Sequence, residues 1–339
     1  MTLEITLKGM ACGAALGLAL TACGRADAHT DSSEAGDGCG AEMVGVLSDL
    51  EGWYPSIHGA GDTIGAANYL SADGAKDAAK LVKTGKVYSL AVVTGPDTPA
   101  FGERFYDIDV AEVDAGGSTL TTFNDDFLQS WLGIGTQIDG LGHLGVDHRY
   151  YNGLLQDDIL VDGMLSPVGI ESVPPIVARG VLIDMAKHFG YEVLPAGFVF
   201  NSCDIIAAAE EQKVQYGVGD VVIFHTGWLG LLDDPSPENV ATYLEAEPGI
   251  GVDGAEYLAS LGVVAVGADN WALEALPGEE GRGVFEPHQT LLAKWGVYIL
   301  ENIVTQELVA DGVTEFMFVL GQPRLEGAAQ TIVHPVAIH

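Results

Sequence analysis

The chain has 339 residues, 48% of them hydrophobic, and 45 glycines, which suits one large folded domain or two small ones and argues against disorder. It carries 14 Lys+Arg against 48 Asp+Glu, a formal charge of −34. A surface this acidic repels phosphate backbones, so nucleic acid is excluded as a partner, and the bland account is a solvated acidic exterior.

Residues 1–22 read as a lipoprotein-type signal peptide. Lys8 gives a thin positive start, and residues 10–20 form an apolar run too short to span a bilayer. Leu20-Thr21-Ala22-Cys23 has the pattern of a bacterial lipobox. The expectation is an exported protein of the cell envelope or periplasm, touching membrane only through a lipid on Cys23. Residues 23–42 hold almost nothing to bury and read as a flexible tether. Outside the cytoplasm Cys39 and Cys203 either pair or stand as one linker thiol and one buried thiol. Residues 43–339 contain no linker and are assigned to a single catalytic domain.

Within that domain, residues 53–70 are turn-rich. Residues 73–84 have helical spacing, with Gly85 as a stop. Residues 87–93 alternate as a strand, and 120–123 read as another. Residues 177–184 form a buried strand, 204–215 a helix, and 220–225 a β-branched run behind a glycine turn. A helix end at 255–261, a strand at 263–266, a short helix at 291–294 and strands at 297–300 and 315–320 complete a mixed α/β domain with strands at its centre.

Gly135-Thr136-Gln137-Ile138-Asp139-Gly140-Leu141-Gly142-His143 is the segment most suited to chemistry. In an extended chain residues 137, 139, 141 and 143 share one face, which then carries an amide, a carboxylate and an imidazole. All three ligate divalent cations such as Zn²⁺ or Mn²⁺. Residue types alone leave a turn motif as the alternative. No Gly-x-Ser-x-Gly elbow occurs, which counts against a serine hydrolase.

The segment resembles the signature His-x-Gly-Thr-His-x-Asp-x-Pro-x-His of the cyclase family, which includes kynurenine formamidase and isatin hydrolase. Gly135, Thr136, Asp139 and His143 match, while Gly133, Gln137 and Leu141 replace two His and the Pro. The Gly-Thr-Gln-x-Asp form is a branch of that family. Further stretches run in family order: 61–70, 81–90, 179–184, 219–228, 267–274, His288-x-x-Leu291-Leu292, 296–302 and 335–338. The resemblance implies a swivelling β/β/α domain. It implies a metal set of Gln137, Asp139, His143, His288 and Glu301 holding Mn²⁺ or Zn²⁺, with His143 and His288 as catalytic proton carriers. His225, Trp228 and Trp271 are expected to line the substrate pocket, the ordinary alternatives being a half-buried structural His and core packing.

The function so implied is metal-dependent hydrolysis of a small-molecule amide, lactam or lactone, with a homo-oligomer as a further expectation. The alternatives are a non-catalytic ligand- or metal-binding lipoprotein on the same fold, and a dehydrating cyclase.

Overall fold

The computed structural model describes residues 52–339, which fall within one compact unit. The signal peptide, Cys23, the tether, Cys39 and the domain start at residue 43 lie outside the described residues. In chain order the strands are β1 (Val87–Ser89), β2 (Tyr106–Gly116), β3 (Thr121–Ser130), β4 (Gln137–Asp139), β5 (Leu160–Val161), β6 (Met164–Leu165), β7 (Ile176–Asp184) and β8 (Val199–Phe200). They continue as β9 (Val221–His225), β10 (Gly249–Ile250), β11 (Ala265–Ala268), β12 (Tyr298–Glu301), β13 (Glu315–Leu320), β14 (Gln330–Ile332) and β15 (Val336–Ile338).

Nine of these form one mixed sheet in the order β1-β15-β13-β7-β9-β11-β12-β4-β14. Its centre, β7-β9-β11-β12, is parallel. Parallel strands are covered on both faces and so read as unbroken apolar runs. Every residue of β9 and β11 is accordingly buried. The flanking pairs are antiparallel. In β13 the side chains alternate, with Phe316 and Phe318 fully buried. Phe316 lies against β7 at Gly180, where an added Cβ would meet its ring at 2.2 Å. Helices Ser202–Gln212 and Val252–Ser260 pack on each other, and the first also packs against β7. Asp204 starts the first of these by accepting the N–H of Asn201 at 2.9 Å. Among the described residues no helix is long and apolar enough to cross a membrane. Cys203 is exposed and disulfide-bonded, and the other three cysteines lie outside the described residues.

Three expectations need correction. The first helix is Ala72–Ala79, not 73–84, because the N–H groups of Thr84 and Gly85 donate to His339 O, at 3.0 and 2.7 Å, and draw that stretch beside β15. The strand expected at 120–123 begins at Thr121, after a turn that includes Leu120, and runs on to Ser130 as β3, which pairs with β2 as a long hairpin outside the main sheet. Both strands are exposed through most of their length, and in β2 Tyr106, Ile108 and Val110 alternate with Asp107 and Asp109, so no continuous apolar run marks a buried strand. Finally, residues 137–143 are not one extended face. The ladder ends where Gly140 N–H donates to Ala329 O at 2.9 Å, and a turn closed by His143 N–H to Gly140 O (3.0 Å) follows.

Candidate metal centre

Open α/β sheets present their functional groups at the carboxyl ends of the parallel strands. Here His225 ends β9, Asp269 follows β11 and Glu301 ends β12. β4 lies beside β12 with Gln137 opposite Glu301 and Asp139 opposite Ile299. On its other edge β14 brings Gln330 opposite Asp139. Directly paired residues of antiparallel strands share a face, so Gln137, Asp139, Glu301 and Gln330 project the same way. His288 reaches them from the helical turn Glu286–His288, just before a π-helical segment, Gln289–Trp295.

Asp139, His288 and Glu301 offer ligand atoms that all lie within 4.8 Å of one another. The Nε2 of His288 stands 3.4 Å from Glu301 Oε1 and 3.7 Å from Asp139 Oδ2. Its Nδ1 is 2.7 Å from Glu274 Oε2, which also accepts the His288 backbone N–H at 3.1 Å. Glu274 therefore fixes the ring and directs Nε2 into the cluster, as carboxylates behind metal-bound imidazoles do. The Gln137 amide donates to Glu301 Oε2 at 2.5 Å, so in this structure it orients a carboxylate. His143 comes off the turn with Nε2 3.9 Å from Asp139 Oδ2; its side chain is 23% exposed, against 0% for Asp139 and 4% for His288. It is the member that meets solvent.

Charge is concentrated here. Burial pushes Asp139 upward, but His143, His288 and Arg104 outweigh it and hold its carboxyl below the usual range. Burial, then the Asp139 charge, pushes Glu301 up to about 8. Burial pushes His288 down, yet the three surrounding carboxylates raise it well above an ordinary imidazole. Burial lowers His143, and the charges of His288 and Arg104 add to the effect against the pull of Asp139. Arg104, whose guanidinium donates to Gly133 O at 3.0 Å, joins His288 in bearing on all three of Asp139, His143 and Glu301. Neither Arg104 nor the role of Glu274 is legible in the motif, since each arrives from a distant segment.

The donor set fits a divalent ion. Two carboxylates and an imidazole are suitable ligands for Mn²⁺ or Zn²⁺. Both oxygens of Asp139 are buried with no hydrogen-bond partner among the described residues. A buried anionic oxygen without donors is costly unless a cation compensates it.

The other expected site residues sit apart from this cluster. His225 is buried, its Nδ1 2.7 Å from Thr305 Oγ1 and 3.0 Å from Asp269 Oδ2. Burial pushes its pKa down and Asp269 reverses that, leaving it raised. Trp228 is buried in a small core cluster with Leu229 and Tyr243. Trp271 is half-buried, donates to Tyr243 O at 2.8 Å and is stacked by Phe101 at 5.1 Å. Beside them an apolar cavity of about 560 Å³ is lined by Val92, Pro96, Leu229, Tyr243 and Val304 and reaches Asn302, the residue after Glu301 at the end of β12.

A curled mixed sheet with this cluster at its carboxyl edge is a swivelling β/β/α domain with a group of side chains able to hold a metal ion. The Cyclase family model matches residues 88–275, and the chain belongs to that family. A crystal structure of a novel cyclase is similar over 83% of this chain and 95% of its own, at 29% identity and a TM-score of 0.75. An isatin hydrolase bound to the product analogue thioisatinate is similar over 79% and 98%, at 19% identity and a TM-score of 0.56. Isatin hydrolase A from Labrenzia aggregata, bound to benzyl benzoate, is similar over 74% and 93%, at 17% identity and a TM-score of 0.55. No curated protein matches the chain.

Proposed function

We propose that the protein is a metal-dependent hydrolase that adds water across an acyl C–N or C–O bond of a small cyclic or aryl amide, a lactam or a lactone. The observation that carries this reading is the Asp139 carboxylate, fully buried with no hydrogen-bond donor among the described residues and within reach of His288 and Glu301. When bound, a divalent ion supplies Lewis acidity and lowers the pKa of water. The chain does the rest. Asp139 and Glu301 bring negative charge, Gln137 holds Glu301, and Glu274 keeps the His288 Nε2 aimed inward. His143, lowered by burial and partly open to solvent, is neutral near pH 7. It takes a proton from the attacking water and returns one to the leaving nitrogen or oxygen. Trp271 with Phe101 stacked on it offers an aromatic wall, and Trp228 and His225 stand behind it as packing and hydrogen-bonded support.

Export and lipid anchoring at Cys23 remain part of the proposal. They are supported by the lipobox pattern and by the disulfide at Cys203, since disulfides persist in oxidising compartments.

The test is metal analysis of the purified protein, followed by a screen of aryl formamides, isatin-type lactams and lactones with Mn²⁺ and Zn²⁺, reading carboxylic acid release. Metal-dependent release from at least one class is expected. A protein that holds an ion yet releases acid from none of them is a binding protein, and one that holds no ion is not the enzyme described here.

A further inference from the structure

Gln330 lies on β14 directly opposite Asp139 on β4, so its side chain projects on the face that carries Asp139 and Glu301. Its amide occupies a particular volume. A Cβ added to Gly133 would lie 2.4 Å from Gln330 Nε2 and 2.7 Å from both Cδ and Oε1. The amide thus fills the space that a side chain at 133 would need, in a segment that the family signature gives to His. Gln330 Oε1 is also buried with no hydrogen-bond partner among the described residues, as are both oxygens of its strand partner Asp139. Leaving a buried acceptor without a donor is destabilising. Here three such oxygens belong to two residues paired across one ladder, beside an imidazole and a second carboxylate. What they lack in common is a donor, and a cation bound among them would supply the missing partner.

We infer that Gln330 is a ligand of the cation proposed above, supplying a neutral amide oxygen where Gly133 supplies no side chain. The inference rests on the metal-dependent reading of the site. The two glutamines divide the work: Gln137 spends its N–H on Glu301, so its amide steadies a ligand, whereas Gln330 presents an oxygen that no described group engages. Two carboxylates, one amide oxygen and one imidazole make an oxygen-rich set, which favours Mn²⁺ over Zn²⁺ relative to a site with a second imidazole.

The experiment uses the full metal-stripped chain titrated with Mn²⁺, the bound ion followed by electron spin resonance, with Zn²⁺ as competitor. Gln330→Ala should weaken Mn²⁺ binding roughly 10–100-fold, the scale on which groups around a metal tune affinity. Gln330→Glu, which keeps the shape and adds charge, should bind Mn²⁺ at least as tightly as wild type, and it keeps the test decidable if the Ala variant folds poorly. Gly133→His alone should displace the Gln330 amide from this space and replace its oxygen by an imidazole, shifting competition toward Zn²⁺. The same change made together with Gln330→Ala should shift it at least as far. If wild type binds Mn²⁺ but both Gln330 variants match it in affinity and spectrum, Gln330 is filler whose oxygen bonds water, and the assignment falls while the metal site stands. If wild type binds neither ion, the hydrolase reading falls and takes this one with it.

Discussion

Asp139 and Asp269 are both fully buried near the carboxyl edge of one sheet, yet their surroundings are opposites. Asp269 accepts from Thr226 N–H at 2.7 Å, Thr226 Oγ1–H at 2.6 Å and Gly227 N–H at 2.9 Å, with His225 Nδ1 at 3.0 Å. Asp139 accepts from nothing among the described residues. Burial pushes both carboxyls up, and neighbouring imidazoles bring both below the ordinary range, His225 for Asp269 and His143 with His288 for Asp139. The chain has satisfied one buried anion with its own donors, and that anion is architecture. It has left the other with charge and no donors, which is what a cation site requires.

The comparison can be broken by treating the two residues alike. Asp139→Asn keeps the shape and removes the charge; activity and Mn²⁺ binding should both be lost, while the metal-free melting temperature holds or rises. An active, metal-replete variant would remove Asp139 from the site. His143→Ala should leave metal content intact and lower kcat by roughly 10²–10⁴-fold, the usual share of a general acid–base; loss of metal instead would make His143 a ligand rather than a proton carrier.

Asp269→Asn should do the reverse of Asp139→Asn. Its donors lose their anionic acceptor, and breaking such a buried pair costs about 3–5 kcal/mol, to be read by urea denaturation of the metal-free protein. If Asp269→Asn is tolerated and Asp139→Asn unfolds the chain, the contrast is inverted. The mildest effect is on pH. Glu301 is pushed up to about 8, so in the metal-free protein it keeps its proton below that pH and a cation must displace it. Apparent Mn²⁺ affinity should therefore fall about tenfold per unit as pH drops below 8, and more steeply where His288 must also shed a proton. Equilibrium dialysis at pH 6, 7 and 8 measures this, and a flat profile would show that no proton is exchanged.

Much of the candidate cluster is legible because its residues are chemically distinctive and sit in a motif. Gln137, Asp139, His143, His288 and Glu301 come together within one region although up to 164 residues separate them. What was hidden depends on register. Gln137 donates to Glu301 only because β4 pairs with β12 in that alignment, and Gln330 meets Asp139 only because β14 lies on the other edge. The Asp269 cradle is a parallel-strand juxtaposition of β9 and β11, invisible to short-range pattern. Of the fold, the buried parallel strands announced themselves as apolar runs. The β2–β3 hairpin did not, because Asp107, Asp109, Asp125 and Asp126 break its strands with charge.

That hairpin has a consequence for how copies of the molecule behave together. It is a two-stranded ribbon whose strands pair, among the described residues, only with each other, and it exposes Val110 at 61% and Phe127 at 66%. Open edges beside apolar side chains invite identical ribbons to add to one another. The aspartates along both strands oppose this, because edge-to-edge addition would set like charges side by side. Such repulsion between exposed charges is screened over about 8 Å at physiological ionic strength and over about 3 Å at 1 M. Colloidal stability is thereby tied to ionic strength: dilute buffer keeps the ribbons apart, and concentrated salt removes the guard on their edges.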